Sequence, residues 1–205
     1  MINITQVRRV VFRKPDGNNG FTVFTLEPDD LGQDTIATVN IAPRMRSRAS
    51  TAGTTESPIS GTLDSFAGSI TFLFDNFKTL GQALQRWTAS TYAGADASAG
   101  QITDSGSNYC ANEYMSVVVQ GVCDDGSETD VELTRCIPSV DDDLEFGTSE
   151  TGTITLNLHP MIYNSNLHSG DGLPAYSYRF GDYDTAKKMR LNATTGKYAE
   201  VVESE

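Results

Sequence analysis

YMSVVVQGVCDDGSETDVELTRCI, residues 114–137, is the stretch that decides the fold. Tyr114 to Val122 is a valine-rich run of strand-forming residues. Asp124-Asp125-Gly126-Ser127 is a turn cluster, and a second run follows from Thr129 to Ile137. In that second run Val131, Leu133 and Ile137 oppose Asp130, Glu132 and Thr134. Successive side chains of a strand point to opposite faces, so the pair reads as a hairpin with one apolar and one polar side.

The same period of two recurs on both sides of this hairpin. Downstream, Gly152–Leu158 alternates Ile154, Leu156 and Leu158 with Thr153, Thr155 and Asn157. Further on, a turn at Ala193-Thr194-Thr195-Gly196 would pair Met189–Asn192 with Lys197–Val202. Upstream, Ile2–Phe12, Phe21–Leu26 and Thr35–Ile41 read as strands, the first two separated by the turn cluster Pro15–Gly20. The Ser/Thr/Ala-rich segment from Pro43 to Pro58 reads as a long loop or an extended, protruding hairpin. Thr62–Phe74 is a long strand with Phe66, Ile70, Phe72 and Phe74 on one side and Ser65, Ala67, Ser69 and Thr71 on the other. One helix follows, predicted from Phe77, Leu80, Leu84 and Trp87 at spacings of three, four and three, with Asp75 or Asn76 as cap. Ala89–Asn108 is loop-like. The sum is a mainly β chain: an antiparallel sandwich or barrel of about eight to ten strands with one flanking helix and a long protruding hairpin or loop.

Composition narrows the function classes. The 205 residues are 38% hydrophobic and 20% charged, which is globular. No apolar run approaches the ~20 residues that cross a bilayer, and Arg8 and Arg9 interrupt the start, so neither a span nor a secretion signal is expected. Three cysteines, Cys110, Cys123 and Cys136, make an odd count at spacings that fit no zinc motif, and are expected to be thiols on or near strands. The net charge of −12 is unevenly spread: residues 1–48 carry +2 and residues 120–150 carry −9. A surface of that sign repels a polyanion and gains nothing from phosphate neutralisation, which argues against an ordinary DNA-binding role.

Catalytic and cofactor constellations are sparse. There are two histidines, no G-x-S-x-G, no P-loop and no G-x-G-x-x-G. His159, His168 and Asp171 match no ligand spacing. Asp141, Asp143 and Glu145 mimic a calcium loop, but the glycine falls at its seventh place instead of the sixth. The expectation is therefore a protein that is not an enzyme, with no metal and no cofactor. Signs of assembly are stronger. In an extended segment Arg44, Arg46 and Arg48 share one face, whereas Asp124, Asp125 and Glu128 sit at a hairpin tip and Asp141, Asp142 and Asp143 in a loop. Separate basic and acidic sites on one chain permit head-to-tail contacts between subunits or rings, although an ordinary mixed surface has the same charges.

The helix after a long strand, and above all the run Arg135-Cys136-Ile137-Pro138-Ser139-Val140-Asp141-Asp142-Asp143 continuing to Thr153-Ile154-Thr155-Leu156-Asn157-Leu158-His159-Pro160, resemble the major tail (tail tube) proteins of long-tailed phages with non-contractile tails. The likeness is clearest over residues 60–90 and 115–163. It implies a tail-tube β-sandwich over 1–163, with residues 164–205 as a C-terminal extension forming an extra hairpin or arm on the same domain. It further implies a virion protein made in the host cytoplasm that forms hexameric rings, stacked into a conduit for DNA ejection. The implied partners are other copies of itself, the tape measure protein, and the tail terminator and distal tail proteins; DNA passes without adhering, and no membrane is involved. By the same resemblance the lumen would be lined by Ser65, Ala67, Ser69 and Thr71 together with Asp130, Glu132 and Thr134. A capsid decoration or head–tail joining protein is the nearest alternative. A β-sandwich carbohydrate-binding module, resting on Tyr176, Tyr178 and Tyr183, is a third.

Overall fold

The computed structural model describes residues 4–18, 20–27, 38–46, 62–73, 77–84, 86–91, 94, 99–102, 114–123, 125–140, 153–161, 163–176 and 178–201. The hairpin read from residues 114–137 forms the middle of the main sheet. Its strands are β7 (Met115–Cys123) and β8 (Glu128–Val140), paired antiparallel with Val117 opposite Leu133 and Val119 opposite Val131. Gly126 takes a left-handed φ of 81° at the turn, and Asp125 Oδ1 accepts the backbone N–H of Ser127.

Outward from this hairpin, β1 (Ile4–Pro15) pairs with β7, and β2 (Phe21–Leu26) pairs with β1. On the other side, β9 (Thr153–Pro160) pairs with the far half of β8, β4 (Thr62–Leu73) with β9, and β3 (Thr38–Arg46) with β4. The order is β2-β1-β7-β8-β9-β4-β3, and β10 (Tyr178–Phe180) lies beside Val131–Leu133 of β8. All these pairings are antiparallel and the fold is mainly β, as the alternation predicts.

One apolar cluster unites the two ends of this order. Val10, Phe12, Leu26, Val117, Val119, Val131 and Leu133 are buried together with Ile70, Ile154, Leu156 and Leu158. The sheet therefore curls over itself, so that a single sheet does the work of a sandwich. A Cβ built on Gly68 of β4 would come within 2.8 Å of Leu133 Cδ1, so β4 lies close against the Leu133 side chain there. Each large aliphatic side chain sealed here contributes about 1.5–3 kcal/mol.

Two expectations are revised. The helix α1 spans Phe77–Ala83 and plugs the core with Leu80 and Ala83, but it does not reach Trp87. Its end is closed by bonds from Leu84 N to Leu80 O and from Arg86 N to Gly81 O. Trp87 instead opens β5 (Trp87–Ala89), which pairs with β6 (Gly100–Ile102), inside the stretch expected to be a loop. Its indole lies against Gly81 and Gly100, where a Cβ would approach to 3.0 and 2.4 Å. Tertiary packing of one large ring thus overrides the helical period. The segment expected to leave the body at Pro43 stays in β3 as far as Arg46. The sheet order puts β3 at an edge, where proline is tolerated. β3 and β4 are the arms of a hairpin whose connection, 47–61, lies outside the described residues.

The C-terminal segment folds back over the opposite face of the sheet. It contains α2 (Ser165–His168), β10, a 3₁₀ turn (Thr185–Lys187), β11 (Met189–Leu191) and β12 (Tyr198–Glu200). Leu191 packs with Val11 and Val118 in a second apolar cluster, flanked by Val23, Ala193 and Tyr198. The β11–β12 turn falls at the predicted place. Gly196 has φ 66° there, and a Cβ would meet Val23 and Phe21 at 2.8 and 3.2 Å.

Candidate functional site

Alternation gives β8 a polar face, and the structure seals that face. Glu132 is 0% exposed, and Asp130 and Thr134 are buried beside it. Glu132 accepts hydrogen bonds from Arg13 Nη2 of β1 at 2.5 Å, Ser116 Oγ of β7 at 3.0 Å and the Tyr176 hydroxyl at 3.0 Å. The Tyr198 hydroxyl of β12 also donates to it, and Arg179 of β10 is paired at 3.4 Å. Arg13, itself 1% exposed, continues to the Gly196 carbonyl at 2.8 Å and lies over the rings of Phe21 and Tyr198. Tyr183 stacks on Tyr198 with centroids 4.1 Å apart. Burial works against ionisation of Glu132, yet Arg13, the Tyr198 hydroxyl and Arg179 outweigh it and hold the carboxyl below its ordinary range. Burial and this same charge push the Tyr176 and Tyr198 phenols up, so both remain donors.

A second ionic centre ties down the start of the segment. Arg135 of β8 donates to Asp171 through Nε at 2.9 Å and Nη2 at 3.0 Å. It also reaches the carbonyls of Pro174 at 2.8 Å and Leu173 at 3.2 Å, and lies over Tyr163. Asp171 also accepts from the Tyr114 hydroxyl at 2.7 Å and from Leu173 N at 2.9 Å. Burial opposes its charge, but these donors overcome it and its pKa is lowered. Such forked, fully bonded pairs are the strong kind of charge-assisted bond.

At the other end of β8, a pocket of about 180 Å³ is lined by Arg8, Arg9, Gln120, Glu128, Asp130 and Arg190. Glu128 pairs with both Arg8 and Arg190, Arg190 also holds Asp182 at 2.9 Å, and Arg9 lies 3.7 Å from Glu27. The guanidiniums are thus committed to carboxylates of the same chain. Asp130, 1% exposed, keeps one oxygen, Oδ2, without a donor among the described residues, and burial raises its pKa. Because the folded state favours the protonated form, Asp130 subtracts stability as pH rises above the ordinary carboxyl value. Asp130→Asn is therefore expected to gain about 0.5–1.5 kcal/mol near pH 7, with the gain shrinking towards pH 4. Urea denaturation of the two chains at both pH values checks this, and a loss at pH 7 would contradict it.

The residues singled out from sequence fare unequally. Asp130, Glu132 and Thr134 were expected on an open, wet face; the C-terminal segment covers them, and β10 pairs with the strand that carries them, so they do not form one. Glu128 is exposed but is bridged to Arg8 and Arg190, and Asp125 is exposed with its carboxylate turned to Ser127. Arg44 and Arg46 lie on β3 opposite Ser65 and Thr62. Ser65, Ala67 and Thr71 lie on β4; the side chains of these five are outside the described set. Ser69 is half-buried, paired with Asn40 and Asn157. Arg48, Asp124, Asp141, Asp142 and Asp143 lie outside the described residues. Tyr176 turns its hydroxyl to Glu132, which weakens the glycan-binding alternative. Ser139 and His159 share a 2.8 Å hydrogen bond across β8 and β9. Among the described residues no group of three His, Cys, Asp or Glu could hold a metal. Cys136 is buried and Cys123 half-buried, both as free thiols; Cys110 lies outside the described residues. No helix among the described residues is long and apolar enough to cross a membrane.

Sequence reasoning missed Arg13, Arg135, Asp171, Arg179 and Tyr198. The available signal was Arg135, the lone cation in the acidic stretch 120–150, set between Thr134 and Cys136 in a strand. No family model matches the chain, and no curated protein matches it. Among solved structures, a chain of the "Cryo-EM structure of the anti-feeding prophage (AFP) baseplate, 6-fold symmetrised" is similar over 85% of this chain and 92% of its own, at 11% identity and a TM-score of 0.36, a level of likeness that carries no argument about fold or function.

Proposed function

We propose that this chain is a structural virion protein, not an enzyme, and that it self-assembles through its sheet edges into stacked rings forming the tail tube of a long-tailed phage. The observation that carries the reading is the way the main sheet ends. Among the described residues neither β2 nor β3 has a second strand beside it. Edge strands expose unpaired N–H and C=O groups and invite another chain. The two edges differ, so β2 of one copy meeting β3 of the next is a heterologous contact, which closes into a ring or extends into a filament. The ionic face stapled by Glu132 and Arg135 makes each copy a stiff block, so that edges and not faces are free to join.

In such a ring β4, with Ser65, Ala67, Ser69 and Thr71, is the candidate lumen strand. The chain's net charge of −12 keeps duplex DNA from adhering. At 0.15 M salt the Debye length is ~8 Å, so the repulsion acts close to the wall. The tape measure, terminator and distal tail proteins would be its partners, and the virion its location. Light scattering on size-exclusion fractions over a rising concentration series tests assembly. The expected result is a mass that climbs in multiples of 22.2 kDa. A mass fixed at one copy across the series, with the neighbouring tail proteins added, would refute the reading.

A further inference from the structure

His168 takes no part in the proposed assembly, yet it is 3% exposed and sits at the end of α2 beside the Arg135–Asp171 pair. Its Nδ1 accepts the backbone N–H of Asn164 at 2.9 Å. The ring proton of the neutral imidazole is therefore on Nε2, which is buried and has no partner among the described residues. Tyr114 meets the ring edge-on at 5.2 Å, and Tyr163 lies tilted at 6.0 Å. Among the described residues, the charged groups facing it are Arg135 from β8 and Asp171 from its own segment. Burial pushes the Tyr114 phenol up to about 12, so that neighbour stays neutral.

We propose that His168 makes residues 163–176 an acid-sensitive clasp, which lets go of the sheet when the imidazole takes up a second proton at Nδ1. That proton would replace the Asn164 acceptor by a donor and leave two N–H groups face to face. Asp171 cannot compensate. Its Oδ2 already takes Arg135 Nε and the Tyr114 hydroxyl, and its Oδ1 takes Arg135 Nη2 and Leu173 N. The imidazolium would sit without an acceptor beside a guanidinium, so the charged ring is stable only outside the clasp. Burial first, then Arg135, lowers the proton affinity of His168, with Asp171 opposing. The closed state binds fewer protons than the open one, so closure is complete above about pH 6.5 and weakens as pH falls below it. Asp171 stays ionised in this window because its own pKa is lowered. A released histidine of ordinary pKa gives about tenfold more opening at pH 5.5 than at pH 7.5.

The test uses the full chain. Nuclear magnetic resonance of ring-labelled histidine reports tautomer and titration, and amide exchange over 163–176, corrected for its intrinsic pH dependence, reports opening. The expected result is an Nε2–H tautomer, titration below the ordinary ~6.5, and about tenfold faster exchange at pH 5.5. In His168→Gln, whose amide oxygen can still accept from Asn164 N–H, that acceleration should vanish. Titration of His168 near 6.5 with unchanged protection overturns the proposal, as does an equal acceleration in the glutamine variant. If that variant fails to fold, the parent chain's titration and exchange decide.

Discussion

Glu132→Ala is expected to lower the unfolding free energy by about 3–5 kcal/mol, the range for removing one partner of a buried ion pair. Alanine takes from Arg13 and Arg179 the carboxylate they share, and leaves the O–H donors of Tyr176, Tyr198 and Ser116 without their acceptor. Few single domains hold much more than ~5–15 kcal/mol in total, so the variant should be close to unfolding. Urea denaturation followed by circular dichroism measures it; a loss under about 1 kcal/mol would show that the network is dispensable. The pH dependence has a definite sign. The folded pKa of Glu132 is lowered, so its stabilisation is present above its ordinary value of 4.5 and lost as pH falls through the folded value. The parent chain should lose more stability than Glu132→Ala on acidification below that point.

Arg135→Ala is the second large effect, again about 3–5 kcal/mol. The guanidinium is fully buried, and its loss removes the fork to Asp171 together with the donors to the Pro174 and Leu173 carbonyls. Asp171 would keep only the Tyr114 hydroxyl and the Leu173 backbone N–H as donors. Because these contacts concentrate on 171–174, opening should begin there. Limited proteolysis should cut the variant between 163 and 176 before the central strands. Uniform cleavage, or cleavage no faster than in the parent, would contradict the assignment of Arg135 as the anchor.

How far the sequence carries can be judged from particular elements. The turn at 124–127, the alternation of Ile154, Leu156 and Leu158, and the β11–β12 turn are local signals, and each lands where it was read. Trp87 shows the limit of periodicity, since one ring seated on two glycines ends the helical pattern early. The polar face of β8 shows a deeper limit. Alternation says that Asp130, Glu132 and Thr134 share a side, but not whether water or guanidinium meets them. The deciding partners are Arg13, 119 positions away, and Tyr198, 66 positions away, and no short-range pattern links them to Glu132. Arg135 and Asp171 escaped for the same reason, being 36 positions apart.

The most direct test of the central claim is negative-stain electron microscopy of the purified chain at rising concentration. Edge-to-edge assembly predicts hollow rings of uniform diameter, then short tubes with a stain-filled channel. Solid or irregular particles, or single copies at every concentration even with tail-initiating proteins present, would contradict it.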